Sequence, residues 1–216
     1  MNSFFEITKY DPKIDSEELL KEQVNNAYEA NKLFFGQDVE IKINIIYKRE
    51  EMNQVQGRKT DDWIVGTARN DQITIFSPEV FDKVSNHSRS DFNFVLTHEI
   101  THIFTDKMYG FKFPVWFKEG LAGYVAEQYK QSTINTENVQ DFQMLHGYKD
   151  WQEHPNYRQA YSFINYIVKN AGKDKLFEFC SKLEEKESYE DFCQKFKENF
   201  GDDLDKYKQK WMQKLI

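Results

Sequence analysis

The sequence predicts an α+β fold, strands early and helices late, and three observations carry that expectation. Residues 39–47, VEIKINIIY, set Val39, Ile41, Ile43, Ile45 and Tyr47 against Glu40, Lys42 and Asn44, the period-2 pattern of a half-buried strand. Residues 63–76, WIVGTARNDQITIF, give two short strands about Asn70-Asp71, residues that tolerate a tight hairpin turn. Beyond Pro78 the apolar spacing is that of helices and stays so to the end of the chain.

Taken in order, Asp15 and Ser16 form an N-cap signal ahead of a helix in which Leu20, Val24, Ala27, Tyr28, Asn31 and Phe34 share one face, and Gly36 closes it. The polar residues 48–62 read as a loop. Pro114 opens a helix over PVWFKEGLAGYVAEQY, and residues 144–156 read as a loop region. From Lys173 onward, nearly balanced Lys and Glu surround the anchors Leu176, Phe177, Phe179, Leu183, Phe192, Phe196, Leu204 and Trp211, which predicts amphipathic helices with solvated faces. With no repeat, low-complexity tract or Pro/Gly-rich linker, residues 1–216 are expected to form one domain. Its sheet-bearing lobe would cover residues 1–110 and its helical lobe residues 111–216.

Composition excludes several classes. Hydrophobic residues make up 39% of the 216 and aromatics 16%, enough apolar mass to offset chain entropy, so disorder is excluded. A net charge of −7 argues against nucleic acid, whose affinity comes from clustered Lys and Arg. The two cysteines, Cys180 and Cys193, are too few for a disulfide framework and are expected to be reduced and buried. No segment reaches the ~18 apolar residues of a membrane span, and the first residues lack a basic stretch leading into an apolar run. The expected location is therefore the cytoplasm.

VLTHEITHIF, residues 95–104, carries the chemistry. On a helix, positions i and i+4 lie about 40° apart, so His98 and His102 can direct two imidazoles at one point. Glu99 lies about 100° round, near enough to reach a water on a shared metal without ligating it. Phe92, Leu96, Ile100, Ile103 and Phe104 imply burial, where unpaired histidines are costly. An HExxH pattern arises by chance in roughly 1% of such chains. Glu119, 17 residues after His102 on the next apolar helix, lowers that chance further, because a third protein ligand with water in fourth place completes an open catalytic zinc site.

THEITHIF followed by WFKEGLAGYVA resembles the gluzincin branch of the zincin metallopeptidases, over about residues 63–170. The resemblance implies a zincin-like fold, a Zn2+ cofactor on His98, His102 and Glu119, and Glu99 as general base and proton shuttle. In NYRQAYSFINYIVKNAG it implies a tyrosine that stabilises the oxyanion, Tyr157 by position or Tyr161 one turn on. WIVGTAR is similar in position to the edge strand that pairs with substrate. Val65, Gly66, Thr67 and Ala68 would supply the ladder hydrogen bonds, and Gly66 would let the peptide backbone approach. The glycine-rich acidic motif of gluzincin aminopeptidases is missing, which favours cleavage within a chain over removal of terminal residues. Where several gluzincins place an acid one turn after the ligand glutamate, this chain has Gly123, leaving Asp106, Thr101 or a backbone carbonyl to hold the histidines' other nitrogens. His87, His146 and His154 are expected on the surface or in turns.

The expected function is that of a zinc metallopeptidase acting on a peptide or protein substrate, with no membrane span. The alternative is a zincin fold that holds zinc and grips a peptide or protein partner without cutting it. Substrate sequence, oligomeric state and regulation do not follow from these residues.

Overall fold

The alternating segment becomes an inner strand. In the computed structural model, which describes residues 4–131 and 133–215, β1 (Phe5–Lys9), β2 (Ile41–Ile46), β3 (Gly66–Arg69) and β4 (Gln72–Phe76) form one sheet in the order β1-β2-β4-β3. β2 runs parallel to both neighbours, so Ile43 lies between Ile7 and Ile73, while β3 and β4 pair antiparallel. The hairpin turns at Asn70, whose φ of 57° is left-handed, as the dipeptide Asn70-Asp71 predicts. Ile41, Ile43 and Ile45 are buried as the alternation requires, and Ile46 is buried as well, which breaks the period at the strand's end. β1 left no clear signal, since its five residues gain their ladder only from a segment some 36 positions on.

Helix α1 (Glu17–Phe35) begins where Ser16 accepts from the Leu19 N–H and ends at Gly36, in the left-handed region with φ 72°. Its buried face is Leu20, Val24, Ala27, Tyr28, Asn31 and Phe35, so Phe35 takes the core place expected of Phe34, which is half-buried.

The expected loop at 48–62 is corrected by α2 (Arg49–Gln56). Its only fully buried apolar residue is Met52, too little for a periodic signal; what nucleates it is Glu51, which folds back to accept from the Tyr47 (2.8 Å) and Lys48 (3.1 Å) N–H groups. Arg49 then donates to the carbonyls of Asp61, Asp62, Ile64 and Val84, which fixes the irregular run ahead of β3. After β4 come α3 (Phe81–Val84) and α4 (Phe92–Tyr109), in which Phe92, Leu96, Ile100, Ile103 and Phe104 are all buried.

The chain divides into two compact units, Met1–Lys107 and Met108–Ile216. The described part of the second is helical: α5 (Val115–Val125), α6 (Tyr148–Glu153), α7 (Tyr157–Ala171), α8 (Lys173–Lys182), α9 (Tyr189–Phe200) and α10 (Leu204–Met212), with short 3-10 turns. α6 corrects the expected loop at 144–156; its one buried anchor, Trp151, gives no helical period. The expected anchors of α8 to α10 are buried except Phe177, which is half-buried. Both cysteines are free, Cys180 buried and Cys193 only half-buried. Among the described residues no helix is long and apolar enough to cross a membrane.

Candidate metal centre

α4 follows a polar turn in which Ser88 donates its N–H to Asp91 (2.9 Å), and it is then buried on nearly every bearing. His98 and His102 are 7% and 8% exposed, with ring centroids 4.7 Å apart and planes at 86°. The i, i+4 spacing thus brings both imidazoles to one buried patch, as expected.

That turn of α4 is tied to α1 by Asn31. Its side-chain amide donates to the Thr97 carbonyl (3.1 Å) and the Ala27 carbonyl (3.0 Å), and the Thr101 hydroxyl lies 2.8 Å from both Asn31 Oδ1 and the Thr97 carbonyl. Thr101, one candidate for holding a histidine nitrogen, is therefore engaged on α1's side. The Thr105 hydroxyl donates to the His102 carbonyl at 2.9 Å. Sequence reading placed Asn31 on the buried face of its helix but had no means of finding its partner, 66 residues away.

Glu99, half-buried, lies against β3: a Cβ built on Gly66 would fall 2.9 Å from Glu99 Cγ and 3.0 Å from its Oε1. β3 stands at the end of the strand order. Val65, 4% exposed, precedes the strand and turns its carbonyl to the Phe76 N–H (3.2 Å). By the alternation of an antiparallel ladder Thr67 also faces β4, leaving the backbone groups of Gly66 and Ala68 directed to the outer edge. Of these four residues, the register turns the backbone groups of Gly66 and Ala68 to the outer edge and those of Val65 and Thr67 toward β4.

Glu119 lies half-buried in α5, behind Pro114 at the N-cap. His98, His102 and Glu119 each offer one ligand atom, and these atoms lie within 4.8 Å of one another. Donors about 2 Å from a common tetrahedral ion are about 3.4 Å apart, inside that limit, and two imidazoles with one carboxylate are an ordinary donor set for zinc. The group is able to hold a metal ion.

The next residues explain the missing acid. A Cβ on Gly120 would meet Ile164 Cγ1 at 2.7 Å and the Ala160 carbonyl oxygen at 2.8 Å, and one on Gly123 would meet Tyr161 Cδ1 at 2.0 Å. α7 therefore lies so close to α5 that only glycine fits at either position, and the Tyr161 ring holds the space that a side chain at 123 would enter. Tyr161 is 8% exposed. Tyr157, half-buried in the first turn of α7, sets its ring edge-on to Trp151 (5.0 Å, 85°) and 6.1 Å from Tyr161.

The remaining histidines are not members of this group. His87 lies in the turn before α4, its Nε2 3.1 Å from the Trp63 carbonyl, and His154 is exposed at the end of α6. His146 lies in the turn ahead of α6, half-buried and edge-on to Tyr189 and Phe192, and burial holds its pKa below the usual histidine value.

Comparison with known proteins agrees in kind. The chain is 24% identical over 212 residues to the uncharacterized protein YhcO of Bacillus subtilis (strain 168), a match covering 91% of this chain and 65% of that protein's length. The chain thus spans somewhat less than two thirds of that curated relative. A family model described as peptidase of plants and bacteria matches residues 16–211, nearly the full length, and the chain belongs to that peptidase family.

Proposed function

We propose that the chain is a zinc metallopeptidase of gluzincin type, a single zincin-like catalytic domain. The observation that carries the reading is the grouping of two buried imidazoles with the Glu119 carboxylate, with Glu99 directly after the first of them in a family of peptidases. His98, His102 and Glu119 would hold the ion; bound there, zinc supplies Lewis acidity toward a carbonyl oxygen and lowers the pKa of water. Glu99 accepts the proton of the attacking water and returns it to the leaving amine. Tyr157 donates its hydroxyl to the oxyanion, with Tyr161 as the alternate one turn on. An extended peptide adds to the outer edge of β3 through the backbone of Gly66 and Ala68. The absent aminopeptidase motif supports cleavage within the chain.

The test is elemental analysis followed by peptide hydrolysis. About one zinc per chain is expected in the parent, and none in His98→Ala. Glu99→Gln should keep its zinc and lose hydrolysis by about 10²–10⁴-fold, the contribution of a general base. Parent-like cleavage by Glu99→Gln would overturn the mechanism.

One observation favours a second reading. The Tyr161 ring stands where a side chain at Gly123 would begin, so residue 123 supplies no acid of the kind several gluzincins place there. A zinc-loaded chain inert toward a broad peptide library, yet binding one peptide stoichiometrically, would mark a module that grips without cutting.

A further inference from the structure

The geometry points to Gly66 as a positioning residue for Glu99, an inference that rests on the peptidase reading above: we propose that the missing side chain at 66 forms the niche in which the Glu99 carboxyl is held. A Cβ there would lie 2.9 Å from Glu99 Cγ, 3.2 Å from Cδ and 3.0 Å from Oε1. Carbon contacts are comfortable only at about 3.5–4.0 Å. Any side chain at this position therefore drives Glu99 into another rotamer or lifts β3 away from α4.

Backbone conformation offers no competing reason for a glycine. Gly66 is absent from the glycines with positive φ, namely Gly36, Gly57, Gly110, Gly172 and Gly201, so its conformation is open to any residue. The requirement is for space, and what occupies the space is Glu99.

This role differs from clearance for a substrate backbone. In a strand the Cβ stands out of the sheet while N–H and C=O lie within its plane. A methyl group at 66 would thus be aimed at Glu99 and leave the edge-facing hydrogen-bonding groups in place. Peptide affinity is preserved and the proton-transfer geometry is lost.

Gly66→Ala separates the two roles. With zinc content unchanged, KM should stay within about two-fold of the parent. The same variant should lose about 100-fold in kcat, the scale of a misplacement of about 1 Å in a reacting group. A rise in KM with kcat retained would assign Gly66 to substrate clearance, and parent-like values of both would remove the niche; either result overturns the proposal.

A second measurement needs no activity. Gly66→Ala is expected to lower Tm by about 3 °C in the parent and in Glu99→Gln, whose side chain has the same length, and to lower it not at all in Glu99→Ala. An equal loss in all three backgrounds, or none in the parent, overturns the steric contact. Because this cycle reads stability alone, it decides the niche even for a chain that cleaves no peptide, and the two failures stay distinguishable.

Discussion

The two units solve the problem of a firm interior with different materials. Among the described residues, the buried polar side chains concentrate in the first, Asp15, Asn31, Ser77, Thr97 and Thr101 among them, against Gln159 and Asn199 in the second. The first joins separate segments by directional bonds. Asp15 accepts from Ser77 (2.6 Å) and from the Tyr47 hydroxyl, Arg49 gathers four carbonyls, and Asn31 links α1 to α4. The second is filled with rings: Trp116 lies 4.2 Å from Phe142, 5.5 Å from Phe117, 5.7 Å from Phe192 and 5.9 Å from Phe163. Even there Gln159 ties the segment before α6 through paired bonds with the Gln140 backbone at 2.8 and 2.9 Å. Hydrogen bonds fix register and orientation, which the turn bearing His98 and the edge strand need; ring packing fixes only separation, and glycines then tune it between α5 and α7.

If this contrast holds, the largest stability loss comes from the ring cluster. Trp116→Ala empties its centre and should cost about 3–5 kcal/mol, transfer and cavity together, measured by urea unfolding. A loss below about 1 kcal/mol would mean that the rings do not carry that unit.

Asn31→Leu tests the directional side. It removes the amide's bonds to the Ala27 and Thr97 carbonyls and one of the two acceptors of the Thr101 hydroxyl, which keeps the Thr97 carbonyl, so about 1 kcal/mol is expected from the same unfolding measurement. An unchanged midpoint would show that the bracket between α1 and α4 is ornamental.

The smallest effect is alkaline. Burial, reinforced by its bond to Asp38 and opposed by the Val39 N–H, pushes the Tyr28 hydroxyl from 10.0 up to about 12. The unfolded chain loses this proton first, so the folded state binds more protons between pH 10 and 12 and stability falls across that window. Tyr28→Phe should flatten the fall, seen as a smaller drop in urea midpoint from pH 10 to 12 than in the parent. A parallel pair of curves would deny that Tyr28 titrates with unfolding.

Much of this architecture was legible in the residues because its signals are local. Ser16 and Gly36 bracket α1, alternation marks β2, Asn70-Asp71 marks the hairpin, and the spacing of His98 and His102 turns both rings to one patch. What escaped depends on distant partners. β1 exists through its ladder to β2, α2 through a fold-back of Glu51, and the inward commitment of Val65 and Thr67 through the register with β4.

By itself the sequence determined which segments turn helical or extended, which faces are apolar, and which side chains have the chemistry of a metal ligand or a proton carrier. Only the tertiary structure decided that a side chain at 66, 120 or 123 would meet a neighbour at once, because the fold brings an atom of Glu99, Ile164 or Tyr161 within 3 Å of where its Cβ would stand. Helical and strand periods are properties of neighbours along the chain, whereas excluded volume belongs to whatever the folded chain sets across the gap.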